Sequence, residues 1–242
     1  MKRSVLAVLV VGVVLLATVS IVLTSAVGPP DIRQRIFIHY ARGRQPKPPS
    51  EGGRGYYKLI GAKWLSLPVP LEVNPTGCGT DERFVLAAIA TAAEEWDDGA
   101  YSAWGGVPPN LFAGGIMIVN KGYNDLAWTA DKRDGCNTII WGNYPTSGVI
   151  AVTIIWYIPN IAILEFDAVF DTDYAWGDAK TTPNVMDVEN IATHELGHGA
   201  GLDDLYEAVA YQETMYGYSA LEEIIKRDLY KGDKQGITKL YG

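Results

Sequence analysis

The chain has 242 residues, 48% of them hydrophobic, enough for one domain of about 180 residues plus a short extra segment. Charge is split: residues 1–63 carry ten Lys and Arg against two Asp and Glu (net +8), and residues 64–242 carry ten against 26 (net −16). So acidic a body excludes nucleic acid as a partner, because phosphate needs clustered Lys and Arg; it fits a secreted protein kept soluble by its charge or one holding calcium in carboxylates, and a solvated surface explains most of the charges.

At the N-terminus, Lys2 and Arg3 precede an apolar run of about 19 residues from Val5 to Leu23, long enough to cross a bilayer. Residues 1–28 therefore read as a signal peptide or a membrane anchor. Either one predicts an extracellular body, secreted or held at the membrane by this segment. Arg33, Arg35, Arg42, Arg44 and Lys47 argue the other way, since basic residues beside a span tend to stay cytoplasmic. Export is preferred because of the chemistry read further along the chain. In an exported domain, Cys78 and Cys136 are expected to form one disulfide.

Residues 29–55 are rich in Pro, Gly and Arg and predict a flexible basic linker, too short for a folded inhibitory prodomain. His39 falls within it and is read as a linker residue. The folded domain is expected over 56–242. Leu67, Val69, Leu71 and Val73 alternate with Pro68, Pro70 and Glu72, which suggests an edge strand interrupted by proline. Thr80 is placed to cap a helix over 81–97, with Phe84, Ala88, Ala92 and Trp96 at helical spacing, followed by a loop over 99–110. Short strands are expected at 116–119 and 138–141. The β-branched segments 148–158 and 162–170, separated by Pro159 and Asn160, predict a hairpin. Asp171, Asp173 and Asp178 form an acidic loop after the hairpin, with Asp167 just before it; the loop is read as solvated, with calcium binding as the alternative. Asp187 is placed to cap the next helix. Residues 219–242 suggest one or two terminal helices, with Leu221, Ile224, Ile225 and Leu229 on one face. The order of elements indicates a mixed α/β or α+β layered domain.

The chemistry is concentrated in Ile191–Asp204, IATHELGHGAGLDD. His194 and His198 are four apart, so on a helix both leave the same face with Glu195 between them. H-E-x-x-H can hold zinc with two imidazoles and set a carboxylate beside the open position. Gly199 and Gly201 are expected to end the helix and turn the chain back toward the metal. A hydrolytic zinc site needs a third protein ligand. The sequence has three histidines, and the third is His39. The third ligand is therefore expected to be a carboxylate, with Asp204 best placed by spacing and Asp203 and Glu207 as local competitors.

His194-Glu195-Leu196-Gly197-His198-Gly199-Ala200-Gly201-Leu202-Asp203-Asp204, followed by Met215, resembles a metzincin zinc metallopeptidase in which aspartate replaces the third histidine. The Asp204 form is similar to snapalysin-type peptidases. Thr214-Met215-Tyr216-Gly217 and the closing Gly-Ile-Thr-Lys-Leu-Tyr-Gly are more like the matrixin branch. The resemblance covers about 185–242. It implies a twisted sheet of about five strands, an active-site helix, a C-terminal helix and a methionine turn at Met215 beneath the metal. It also implies a monomeric zinc endopeptidase acting on proteins or peptides, in which a water held at zinc is activated by Glu195 as general base. Tyr216 and Tyr218 are read as packing residues, with assistance at the oxyanion as the alternative. The competing readings are a zinc-binding module without catalysis, which would not need Glu195, and a calcium-binding surface protein.

Overall fold

The computed structural model describes residues 30–42, 55–104, 110–126 and 132–242. Within it, Asp31–Gly242 form one compact unit. The expected signal or anchor over 1–28 lies outside the described residues, as do residues 43–54 of the expected linker. Among the described residues, no helix is long and apolar enough to cross a membrane.

The strands are β1 (Arg33–Ala41), β2 (Lys58–Leu59), β3 (Val69–Asn74), β4 (Phe112–Ile118), β5 (Thr138–Gly142), β6 (Val149–Ile158), β7 (Ala162–Asp171), β8 (Trp176–Gly177), β9 (Met186–Asp187), β10 (Leu202–Asp203) and β11 (Tyr218–Ser219). The helices are α1 (Glu82–Trp104), α2 (Val188–Ala200) and α3 (Lys231–Tyr241). The fold is mixed α/β. Seven strands form one sheet in the order β11-β1-β6-β7-β5-β3-β4, two more than the expected five or so. β3, β4, β5 and β7 run parallel, and β6 runs antiparallel to β7 as the predicted hairpin. Nearly every residue of β6 and β7 is buried, which is why both read as continuous β-branched runs without alternation.

One face of the sheet packs on the helices in a single core. Trp96 and Ile89 of α1, Ile191 and Leu196 of α2 and Ile237 of α3 meet Leu71, Val73, Phe166 and Phe170 there. Trp96 Nε1 also donates to Thr193 O at 2.7 Å, joining α1 to α2 inside the core.

Several expectations change. The linker reading fails for Arg33–Ala41, which is a strand inside the sheet between β6 and β11. Its Phe37 and His39 are buried while Ile36 and Tyr40 are exposed, a period of two hidden in the sequence by flanking arginines and prolines. β3 is interior, not an edge. Pro70 is tolerated because the pairing to β4 shifts between Val69 and Leu71, and the pairing to β5 starts only at Glu72. α1 is capped by Asp81, whose Oδ1 accepts from the Arg83 and Phe84 amides, and it runs on to Trp104 through the expected loop. Only α3 is helical after residue 230; Leu221 and Ile224 are exposed, so the apolar face proposed for them does not exist. Cys78 and Cys136 are free thiols, not a disulfide, and the buried Cys78 donates to Thr80 O at 3.3 Å.

Candidate metal centre

α2 carries the paired histidines through the middle of the core. Asp187 caps it as expected, with Oδ1 accepting from the Asn190 amide at 2.8 Å. The Arg227 guanidinium braces this start, ion-paired to Asp187, to Asp178 at 2.7 Å and to Glu189 at 3.0 Å. At the other end Gly199 stays inside the helix, and Gly201 alone terminates it. Gly201 adopts φ +109 and its amide donates to His198 O at 2.9 Å. A left-handed C-cap of this kind reverses the chain, and β10 follows at once.

The reversal returns Asp204 to the helix. Asp204 Oδ1 lies 3.3 Å from His194 Nε2 and 3.5 Å from His198 Nε2. His194 Nδ1 bonds to Thr214 O at 2.7 Å and His198 Nδ1 to Leu202 O at 3.0 Å. Each Nδ1 must then carry the hydrogen, which leaves both Nε2 atoms as lone pairs aimed at Asp204. Tyr206 donates its hydroxyl to Asp204 Oδ2 at 2.9 Å and so occupies the other carboxylate oxygen. His194 Nε2 and Asp204 Oδ1 are buried and have no hydrogen-bond partner.

These atoms fit a metal. A tetrahedral ion with bonds of about 2.0–2.1 Å spaces its ligands roughly 3.3 Å apart, close to the two separations seen. Buried polar atoms left without partners are otherwise costly. Burial, then the neighbouring His39, pushes the His194 imidazole down to about 4, which keeps it neutral as a ligand must be.

The rest of the surroundings was partly hidden from sequence reasoning. Glu195 is buried, accepts from Thr153 Oγ1 at 2.6 Å and lies 3.2 Å from His39 Nδ1. Burial raises its pKa. His39, read as a linker residue, instead tilts over His194 with ring centroids 4.0 Å apart, and it forms a second potential ligand group with His194 and Glu195. Asp203 and Glu207 stand elsewhere: Asp203 Oδ1 takes Arg35 at 2.6 Å, and Glu207 faces Lys58 on the surface. Met215 is fully buried, and its sulfur fills space beside Gly197 of α2. Asp233 of α3 accepts from the Thr214 and Met215 amides at 2.6 and 3.2 Å, so the turn that holds His194 is tied to the C-terminal helix. Tyr216 and Tyr218 pack against each other, Tyr206 and Tyr211, and of these tyrosines it is Tyr206 that touches Asp204. Thr153, Tyr206 and Asp233 carry no signal of their own in the sequence.

The aspartates of the acidic stretch take partners within the protein. Asp167 accepts from the Thr138 amide, Asp171 from the Asp173 amide, and Asp178 pairs with Arg227. Among the described residues, the two groups able to hold a metal both include His194.

Residues 148–242 match the matrixin peptidase family. The chain is 26% identical over 195 residues to matrix metalloproteinase-16 of Homo sapiens and of Rattus norvegicus, covering 78% of this chain and 29% of theirs. It is 30% identical over 145 residues to metalloendoproteinase 1-MMP of Arabidopsis thaliana, covering 59% of this chain and 36% of that one. The chain thus spans about a third of the length of these relatives. From β6 to the C-terminus, the part that builds the cluster is similar to the matrixin peptidases, on a mixed α/β scaffold consistent with their catalytic domain.

Proposed function

We propose that this chain is a zinc metalloendopeptidase that hydrolyses peptide bonds in proteins, with His194, His198 and Asp204 holding the metal and Glu195 acting as general base. The observation that carries the reading is the convergence of three buried donor atoms, two of them without any protein partner, beside a buried glutamate. Asp204 in place of a third histidine gives the two-histidine, one-carboxylate set of the snapalysin-like form.

Zinc, when bound, supplies a Lewis acid for the scissile carbonyl and for water. The protein supplies the rest. The Thr153 hydroxyl fixes the orientation of Glu195. Burial raises the basicity of that carboxylate, so it can take a proton from water and return it to the leaving amine. The carbonyls of Thr214 and Leu202 hold each imidazole in one tautomer. Export of the domain, secreted or held by residues 1–28, rests on the apolar run with its charged start together with the peptidase chemistry downstream.

Metal analysis and turnover test the assignment together. The native chain should hold about one zinc, and Glu195→Gln should keep it while peptide cleavage falls on the order of 10²–10⁴-fold. Asp204→Ala should lose the metal. Normal cleavage by the glutamine variant would overturn the role of Glu195, and full zinc in the Asp204 variant would overturn the ligand set.

A further inference from the structure

We propose that Arg33–Ala41 is a built-in strand plug: it fills the peptide-binding cleft of this domain, with His39 seated on the metal centre. The proposal rests on the peptidase reading of that centre.

The cleft is defined by what β1 covers. β1 pairs antiparallel with β6 from Arg33 to Tyr40, and parallel with β11 at Tyr40 and Ala41. Without it, β6 would be a sheet edge with open amides and carbonyls directly above α2. Such an edge binds an extended peptide by strand addition. The place is filled by the chain itself.

The side chains reach further than the backbone. Phe37 and His39 are two apart, so both face α2. The Phe37 ring stacks on His198 with centroids 3.9 Å apart and planes inclined by 14°. His39 covers His194, and its Nδ1 engages Glu195. His39 Nε2 is buried with no hydrogen-bond partner, the same condition as His194 Nε2 and Asp204 Oδ1. As a result His194, Glu195, His198 and Asp204 are 0%, 1%, 1% and 4% exposed. An endopeptidase must admit a chain of several residues to these atoms, and in this arrangement none can reach them.

Charge holds the plug in place. Arg35 pairs with Asp203, the neighbour of Asp204, and lies over the Phe37 ring at 4.7 Å. Arg42 lies over the Tyr218 ring at 4.5 Å. Through Arg35 the basic strand meets the acidic body in a direct ion pair. On the other side of β1, Ile36 and Tyr40 face solvent while Ile38 packs against Val152, Ile154 and Trp156 of β6.

The test uses the full chain with a recognition site for an unrelated protease placed between Arg44 and Gly53. Intact and cut forms are compared for zinc content, cleavage of a denatured protein and hydrogen exchange at β6. Cutting should raise turnover about tenfold or more, because the competent fraction rises. Exchange should quicken in β6 and β11 but not in β3, β5 or β7. A synthetic peptide of residues 31–42 added to the cut form should reverse both changes, and one carrying His39→Ala should do so more weakly. Equal turnover of intact, zinc-loaded and cut forms would overturn the plug while leaving the peptidase reading intact. Loss of protection across the whole sheet would overturn it too, since β1 would then be a structural strand. If neither form cleaves but exchange changes only in β6 and β11 and the peptide binds back, the plug stands and the peptidase reading fails.

Discussion

Tyr206 decides which oxygen of Asp204 is available. Its hydroxyl takes Oδ2 at 2.9 Å and leaves Oδ1 facing the two imidazoles. Removing that hydroxyl should leave the fold intact and loosen the ligand. Tyr206→Phe is therefore expected to weaken zinc binding about 10–100-fold, read by competition with a chelator. An unchanged affinity would mean that Asp204 is oriented by its backbone alone. At this scale the sequence was legible wherever chemistry depends on spacing: His194, Glu195, His198 and Asp204 sit within eleven residues, helix geometry fixes the directions of the first three, and the glycine after the helix allows the turn that returns the fourth. Thr153, Tyr206 and Asp233 were not legible. Each is a common residue type, two come from other segments, and a chain with 14 tyrosines marks none of them. His39 was misread because its surroundings in sequence are basic and Pro-rich.

The helix that carries the pair ends on a backbone conformation that few side chains tolerate. Gly201 has φ +109, and a Cβ there would lie 2.8 Å from Ala62 O. Gly201→Ala should destabilise the domain by about 1–3 kcal/mol. Thermal unfolding should register a loss of about 2–4 °C per kcal/mol, and an unaltered midpoint would show that the turn relaxes freely. α2 was readable because its cap, apolar period and terminal glycine agree. The hairpin of β6 and β7 was readable from its β-branched runs and the Pro-Asn between them. β1 and the interior placement of β3 were not, because proline and arginine content outweighed a short alternation. What rescues both strands is pairing with residues far away in the chain, which no local pattern displays.

Across the whole molecule, the sheet hides carboxylates that a surface reading placed in solvent. Asp167 is buried in β7, and burial pushes its carboxyl from an ordinary 3.8 up to about 8, against the bond it accepts from the Thr138 amide. The folded state therefore retains a proton that the unfolded chain gives up near pH 4. Stability from this group is present below that pH and is lost as pH rises toward about 8. Asp167→Asn keeps an acceptor for Thr138 without the charge. It should stabilise the domain more at pH 9 than at pH 4 in urea unfolding; equal effects at both would mean that Asp167 ionises freely when folded. Fold class was legible from the order of elements. The strand count was not, since β1 joins by pairing with the distant β6 and β11 by pairing with β1.

The pairing of β1 also sets a rule for kinetics. A strand belonging to the same chain meets its groove at an effective concentration on the order of millimolar when the connection is short. A free peptide at micromolar concentration starts at a disadvantage of about a thousandfold. Diluting the protein does nothing to this ratio, because encounter within one chain is first order. Activity would then follow the history of the molecule, whether the connection between Arg42 and Gly55 has been severed, more closely than the amount of substrate around it.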